Sequence, residues 1–395
     1  MRNRRNTVKQ APDVIERLNG EATSLDAHLD DVKAAAAELG YADAGEYLLA
    51  LHRMYRDGHA HVPRKDTWSP QFSGDPPSIA FERPGGTGTL YHGDSAALMA
   101  DHLDPESVDL IMTSPPFGLV RKKAYGNEDA DEYLDWFDQF AYGMRRVLKE
   151  TGSLVIDIGG AWQKGRPTRS LYHFELLSRL CRGFGFYLAQ EFYWWNPAKL
   201  PLPAEWVNVR RIRVKDSVNC VWWLSRTPFP RASNKRVLQP YSDSMNEMVE
   251  RGSYNTKRRS GGHKPGETSF LAQHGGSIPH NLIAAANTKG NSAYRQYCTE
   301  NDVPIHPAQF PSVLPAFFIR MLTDQGDVVL DPFAGSCVTG EVAEQMGRRW
   351  ICCELSEEYV KGAKGRFGPQ APEPFCRVRN EPDRALRRAA SEPAG

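Results

Sequence analysis

From Thr89 onward, short apolar runs alternate along the chain with longer amphipathic stretches. Apolar or β-branched runs of about four to eight residues that end at polar or glycine positions are typical of buried strands. Apolar residues at helical spacing over ten or more positions predict helices. The predicted strands are Leu90–Asp94, Val108–Met112, Ser153–Ile158, Phe186–Trp195, Ser217–Leu224, Val328–Asp331 and Trp350–Glu354, and the predicted helices are Tyr133–Lys149 and Val338–Met346. This alternation predicts an α/β fold built on a doubly wound, mostly parallel sheet.

The residues before this pattern have a different character. Leu29–Leu51 is rich in alanine and leucine at helical spacing, so it predicts helix, broken at Gly40 and Gly45. Pro63–Pro84 is rich in Pro, Gly and Ser and predicts a linker. We expect this leading segment to be a helical extension that serves as a cap or an oligomer contact rather than in catalysis.

Composition limits the class of protein. The 395 residues are 41% hydrophobic and carry a formal net charge of +1, so no global basic signature of a nucleic-acid binder is present. No apolar run has the length of about 20 residues that a membrane span needs, and no apolar signal-peptide core follows the basic start. The seven cysteines are scattered and lack paired CxxC spacing. They predict neither a disulfide framework nor a zinc site, and indicate a reduced, cytoplasmic protein without a metal.

The strongest local motif is Thr113-Ser114-Pro115-Pro116-Phe117, directly after a predicted strand. Tandem prolines hold the chain extended and would fix the Ser114 hydroxyl and the Pro115 carbonyl as two acceptors. Two acceptors suit an exocyclic amine, because it presents two N–H donors, and Phe117 offers a face for stacking a base. The alternative is a strand that simply ends in a proline turn.

A second motif, Asp331-Pro332-Phe333-Ala334-Gly335-Ser336, follows another predicted strand. A glycine there lets a ligand approach the backbone closely, and Glu354 lies where an acid that binds ribose hydroxyls is expected. Neither GxGxxG nor GxxxxGK[ST] is present. The motif therefore favours a nucleoside cofactor without a pyrophosphate, S-adenosylmethionine above all. The alternative is an ordinary turn glycine with a surface glutamate.

Between Thr227 and Pro307 the alternation stops, and basic residues outnumber acids. A long basic insertion in a nearly neutral protein suits phosphate contact and base reading, although a solvated loop is the alternative. Just past the first motif, Lys122 and Lys123 are either a solvated pair or phosphate contacts. The candidate DNA-binding residues are Lys122, Lys123, Tyr125, Arg258, Arg259 and His263.

From Leu90 to Phe367 the chain resembles the β-class DNA amino-methyltransferases, in which an SPP motif precedes an FxG motif, and within them the cytosine-N4 branch. Further segments carry the resemblance: Tyr125-Gly126-Asn127, Asn196-Pro197, Glu205-Trp206-Val207-Asn208, Arg213-Val214-Lys215-Asp216 and His306-Pro307-Ala308. The resemblance implies a Rossmann-like, S-adenosylmethionine-dependent methyltransferase fold with an inserted region that recognises DNA. It divides the chain into residues 1–85 (extension and linker), 86–226 (catalytic half), 227–305 (target recognition), 306–367 (cofactor half) and 368–395 (flexible tail).

The resemblance also implies the roles of individual residues. Ser114, Pro115, Pro116 and Phe117 would form the catalytic motif, with the first two holding the target amine and the last stacking on a flipped base. The cofactor would lie among Asp94, His306, Pro307, Phe310, Asp331, Phe333, Gly335, Ser336 and Glu354. Cys337 departs from the glycine or asparagine that the family often has there, which would stiffen the loop without removing the turn glycine.

The expected function is methylation of the N4 amine of cytosine in duplex DNA, and the closest alternative is methylation of adenine N6 on the same fold. A non-catalytic DNA-binding module does not explain a cofactor turn paired with an amine cradle, and an oxidoreductase does not explain the SPPF motif. The resemblance implies pairing with a restriction endonuclease in a prokaryote. We expect a monomer or a weak dimer, with no membrane partner.

Overall fold

The computed structural model describes residues 25–57, 75–118, 133–254, 266, 271, 274–287 and 292–368. Two helices, α1 (Leu25–Glu38) and α2 (Ala44–Asp57), belong to one compact unit, to which Arg182–Phe184 also belongs. The second unit contains the sheet and every described candidate site residue. The break at Gly40 is confirmed, since Gly40 has a φ of 79°. The predicted break at Gly45 is wrong, because Gly45 lies inside α2.

In the second unit the described residues form a nine-stranded sheet. Its strands are β1 (Ser78–Glu82), β2 (Gly88–His92), β3 (Val108–Thr113), β4 (Leu148–Ile158), β5 (Tyr187–Trp195), β6 (Val218–Ser225), β7 (Leu282–Ala284), β8 (Val328–Asp331) and β9 (Arg349–Glu354). The spatial order is β1-β2-β9-β8-β3-β4-β6-β5-β7, in which β1 and β6 run antiparallel to their neighbours. The predicted α/β fold with a mostly parallel sheet is confirmed.

The longer α-helices among the described residues of this unit are α3 (Tyr133–Val147), α4 (Tyr172–Arg182), α5 (Asp243–Arg251), α6 (Ala293–Glu300), α7 (Val313–Leu322), α8 (Val338–Gln345) and α9 (Glu357–Ala363). Helix α3 buries Phe137, Phe140, Ala141 and Met144, the three- and four-residue spacing of a single helix face. Helix α7 is apolar almost throughout, and its side chains pack in one core with Leu110 and Met112 of β3. Burial on this scale stabilises the central strands that carry both motifs.

Three predicted segments differ clearly in the structure. The predicted linker Pro63–Pro84 contains strand β1, because Ser78–Glu82 pairs with β2 at the edge of the sheet. Helix α3 ends at Val147 rather than Lys149, because Leu148 already pairs with Val108 as the first residue of β4. The stretch from Thr227 to Pro307 also contains α5, α6 and β7, and β7 extends the sheet by pairing with β5. Within the described residues no helix is long and apolar enough to cross a membrane.

Candidate active site

The two sequence motifs leave the sheet side by side. Strands β3 and β8 are parallel neighbours, with Leu110 opposite Val329 and Ile111 opposite Leu330. Their carboxyl ends therefore open at the same edge, where ligands of doubly wound sheets bind. The hydroxyl of Thr113 donates a hydrogen bond of 2.7 Å to Asp331, which ties the last residue of one strand to the last residue of the other. The structure thus brings together two motifs that are 218 positions apart.

Ser114 faces a buried carboxylate. Its hydroxyl donates to Asp157 Oδ2 at 3.1 Å, and Asn219 Nδ2 donates to Asp157 Oδ1 at 3.1 Å. Burial raises the pKa of Asp157 to about 6, opposed by these two hydrogen bonds and by the positive charge of Lys199. At neutral pH Asp157 is therefore mostly ionised and accepts a hydrogen bond from the Ser114 hydroxyl. The lone pairs of the Ser114 oxygen then remain available to another donor.

Packing fixes the rest of this motif. Tyr133 Oη donates to the carbonyl of Pro116 at 2.8 Å, which anchors the proline turn to the start of α3. A Cβ at Gly159 would lie 2.6 Å from Phe117 Cε2, so the ring of Phe117 lies directly against the end of β4. No described residue donates a hydrogen bond to the carbonyl of Pro115. The motif therefore presents two oxygen acceptors beside an immobilised aromatic ring.

The turn after β8 is held open by Gly335. Its φ is 53°, in the left-handed region that favours glycine, and a Cβ there would lie 3.0 Å from His306 Nε2. The Gly335 N–H donates to Glu354 Oε2 at 2.8 Å, and the Ser356 N–H donates to Glu354 Oε1 at 2.9 Å. Burial raises the pKa of Glu354. The end of β9 thus places a carboxylate against the glycine turn of its neighbour β8.

Four further candidate cofactor residues belong to this part of the fold. Asp94 follows β2, which pairs with β9, and its carboxylate accepts the Ala96 N–H at 2.8 Å. His306 packs edge-on against Tyr359 with ring centroids 4.5 Å apart. Phe310 is partly buried against the core, and Pro307 is exposed.

Two other residues of the second motif, Asp331 and Phe333, are fixed by contacts within the protein. Both oxygens of the fully buried Asp331 accept hydrogen bonds, from Thr113 on one side and Thr339 at 2.7 Å on the other. Burial raises the pKa of Asp331 to about 6. Phe333 packs against Phe140 with centroids 4.8 Å apart, in an aromatic cluster that α3 supplies. Asp331 is therefore placed to join the motifs, with no carboxylate oxygen left without a protein donor.

Arg366 links the segment around His306 to the turn after β8, and the sequence did not predict it. Its side chain is 8% exposed. The guanidinium donates to Ser336 Oγ at 3.0 Å and to Gln309 Oε1 at 3.1 Å, and pairs with Glu341 at 2.6 Å. These bonds tie the segment that contains His306 to the turn after β8. Sequence offers no signal for them, because the partners are distant along the chain.

Asp157 and Asn219 were also missed. Asp157 does carry a signal, since a lone acid inside the apolar strand Leu154–Ile158 must have a polar partner. Asn219 has none, because only the antiparallel pairing of β4 with β6 brings it to Asp157.

The candidate DNA contacts Lys122, Lys123, Tyr125, Arg258, Arg259 and His263 lie outside the described residues. Within the part of the chain that is described, no group of three or more His, Cys, Asp or Glu side chains is arranged to hold a metal ion.

Comparison with known proteins agrees with this geometry. Residues 108–365 match the model of a DNA methylase family. The type II methyltransferase M.PvuII of Proteus hauseri is 50% identical over 282 residues, which cover 71% of this chain and 83% of that protein. M.BglII of Bacillus subtilis is 28% identical over 69% of this chain and 66% of its own length. The solved structure of the cytosine-N4-specific PvuII DNA methyltransferase superposes with a TM-score of 0.58 at 43% identity, covering 72% of this chain and 88% of the other.

Proposed function

The chain belongs to this DNA methylase family, and from that premise we propose that it transfers a methyl group from S-adenosylmethionine to the N4 amine of cytosine in duplex DNA. One observation carries the proposal: the Ser114–Asp157 cradle lies beside the turn after β8. The cradle can accept N–H donors and the Gly335 turn can receive a nucleoside, and both lie at the same edge of the sheet.

The residues at the second motif fit S-adenosylmethionine. The ends of β2, β8 and β9 supply three carboxylates, from Asp94, Asp331 and Glu354. Acidic groups suit ribose hydroxyls and a positively charged sulfur, whereas a pyrophosphate would be repelled. The Gly335 turn leaves the space that a Cβ would fill. We propose that Glu354 binds the ribose, that Asp94 lies at the adenine, and that His306, Pro307, Phe310, Phe333 and Ser336 surround the donor.

Bound S-adenosylmethionine supplies an activated methyl group, and the protein positions the amine that receives it. The target base must leave the duplex, at a cost of a few kcal/mol, before its amine reaches the Ser114–Asp157 cradle. Ser114 Oγ and the Pro115 carbonyl each accept one N–H, and Phe117 stacks on the ring. This arrangement orients the nitrogen lone pair toward the donor site.

Asp157 completes the proton balance. Forming the N–CH3 bond while the S–CH3 bond breaks leaves the nitrogen with one proton too many. Ser114 Oγ takes that proton as its own hydroxyl proton passes to Asp157 Oδ2, to which it already donates. The pKa of about 6 keeps Asp157 ionised and ready to accept at neutral pH.

Cytosine N4 is preferred to adenine N6 because the relative that is 50% identical shares its name with a structure described as cytosine-N4-specific. Mass spectrometry of nucleosides from DNA methylated by this protein distinguishes the two. N4-methylcytosine is expected, and N6-methyladenine would replace this assignment with the alternative.

Methyl transfer itself is tested with tritiated S-adenosylmethionine and plasmid DNA. Ser114→Ala is expected to lose at least about 100-fold in turnover, because the amine loses an acceptor and its proton path. DNA binding should remain. Ser107→Ala, which removes a hydroxyl that donates to the carbonyl of Asp104 outside the site, is the matched control. Full activity of Ser114→Ala would remove this residue from the mechanism.

The biological setting follows from the relatives. Type II methyltransferases such as M.PvuII are bacterial proteins by their stated sources. We propose that this chain is the modification enzyme of a restriction-modification system in a bacterial cytoplasm. Within the chain, residues 86–226 and 306–367 would form the catalytic and cofactor halves, and residues 227–305 the target-recognition region.

A further inference from the structure

The connection between β5 and β6, residues 196–217, lies beyond the same sheet edge as the cradle. Strand β5 ends at Trp195, which pairs with Val218 at the start of β6, and β6 continues with Cys220 opposite Ile158 of β4. Strands β4 and β5 are both antiparallel to β6, so they point the same way. The 22 residues that follow Trp195 therefore leave and re-enter the sheet next to Asp157.

Two arginines, Arg169 and Arg213, anchor this connection. Arg169 pairs with Asp216 at 3.0 Å. Arg213 donates to the carbonyl of Pro167 at 2.6 Å, and its guanidinium lies 4.1 Å from the centre of the Trp162 ring. These contacts engage the guanidinium groups of Arg169 and Arg213 within the protein, and they fix the connection against residues 162–169.

Two other cations of the connection, Lys199 and Arg211, have side chains without a described partner, and a third, Lys215, donates only to the carbonyl of Lys199 at 3.3 Å. The segment contains five Lys and Arg residues but only two acids. Arg210 is neutralised by Glu205 at 2.7 Å. By contrast, the exposed side chains of Lys199 and Arg211 make no ion pair or hydrogen bond with any described residue. Arg211 also has a φ of 53°, a conformation that is uncommon and costly for a residue other than glycine.

Aliphatic side chains accompany these cations on the same segment. Leu200 is 69% exposed, Ile212 60% and Val214 83%. Each stands within two residues of Lys199 or within three of Arg211 along the chain. Exposed aliphatic groups beside unneutralised cations match a DNA strand, whose phosphates take the charges and whose sugars and bases take the apolar contacts. The positive charge of Lys199 also lowers the pKa of Asp157, which places the ammonium within electrostatic reach of the cradle.

We propose that residues 196–217 dock on the DNA strand that carries the target nucleotide, with Lys199 and Arg211 binding its phosphates and the aliphatic side chains lying against its sugars and bases. This inference rests on the proposed function, because it assumes that DNA enters the cradle. It assigns strand holding to a segment between two catalytic-half strands, separate from the region proposed for target recognition.

The test measures how DNA binding depends on salt in the full-length protein. Fluorescence anisotropy with a labelled duplex is followed from low to high KCl for the wild type, Lys199→Gln and Arg211→Gly. Glycine suits a φ of 53°, so the Arg211→Gly protein keeps the local backbone. Loss of one phosphate contact should raise Kd about eightfold at 0.1 M salt and reduce the slope of log Kd against log salt by about 0.9. Arg211→Lys should restore the slope, because it returns the charge.

Lys361→Gln is the matched control, since it removes one exposed Lys charge that Glu357 already neutralises at 2.8 Å. Unchanged slopes in both Lys199→Gln and Arg211→Gly would overturn the inference. A second outcome would also overturn it: the wild type sediments as a dimer, and Val214→Glu dissociates the dimer without changing the salt slope of DNA binding. The segment would then bind a second copy of the chain. Tritium transfer to DNA by the wild type is measured in parallel. Transfer together with unchanged slopes would sink only this inference, whereas absence of transfer would sink the proposed function.

Discussion

Replacing Asp157 with asparagine should make the protein less active and, at neutral pH, no less stable. Asparagine has the same shape but brings an N–H2 group. That group would donate to Ser114 Oγ and turn the Ser114 hydroxyl proton toward the target amine. The cradle would then present a donor where the amine needs an acceptor. We expect a loss of about 10- to 100-fold in turnover, the worth of one hydrogen bond to a charged group.

The stability change follows from the buried charge. Burial raises the pKa of Asp157 from 3.8 in the unfolded chain to about 6 in the folded one. The folded state therefore holds its proton more tightly, and this contribution to stability is present below pH 4 and is lost as the pH rises to 6. The shift corresponds to about 3 kcal/mol, since each pKa unit is worth about 1.4 kcal/mol. The Asp157→Asn variant has no such loss of stability, because asparagine does not ionise. It does lose part of the hydrogen-bond network, which contributes about 1–3 kcal/mol to stability.

Urea denaturation of the wild type and Asp157→Asn between pH 4 and pH 8 measures the effect. The free energy of unfolding of the variant, minus that of the wild type, should rise by about 2 kcal/mol between pH 4 and pH 6, and by about 2.5 kcal/mol in all by pH 8, where it levels off. The constant hydrogen-bond loss cancels from this rise. Asp104→Asn, at an exposed position, controls for the loss of one negative charge. A difference that stays flat across this range, or full turnover by the variant, would refute the reasoning.

Three further predictions concern the same edge of the sheet. Turnover of the wild type at saturating DNA and donor should fall as the pH is lowered through about 6, because protonated Asp157 cannot accept a proton; a pH–rate profile checks this. Gly159→Ala should lower turnover and leave donor affinity unchanged, because its Cβ would displace the ring of Phe117; equilibrium dialysis with the labelled donor provides the comparison. Gly335→Ala should instead raise the KM for the donor and leave turnover at saturating donor unchanged. It should also lower stability by about 1–3 kcal/mol, because alanine is strained at a φ of 53° and crowds His306. A KM equal to that of the wild type would count against a donor site at this turn.

The sequence predicted most of the elements that carry the site. The apolar runs of β3, β8 and β9 and the polar residues that end them were visible as local patterns, because a buried strand needs an unbroken apolar run. Their meeting at one edge then follows from the rule for parallel sheets. What the chain order does not state is which strands are neighbours.

The partners across strands were the part that sequence reasoning missed. Asn219 reaches Asp157 only through the register of β4 with β6, and Arg366 reaches Ser336 only after the last helix has packed. Strand β7 was missed for another reason. With three residues, Leu282–Ala284, it has little periodicity of its own and forms because the edge of β5 offers backbone partners.

The contact between Thr113 and Asp331 has a consequence for how the chain is made. Strand β3 is buried along all six residues, yet its neighbour β8 lies more than 200 residues later. At about 5–20 residues per second, a ribosome needs roughly 10–40 s to supply that neighbour. During this interval one side of an apolar strand has no native partner and is open to intermolecular pairing. Premature termination before β8 should therefore yield an aggregating product rather than a half-domain, and folding in the cell should depend on protection of the nascent chain.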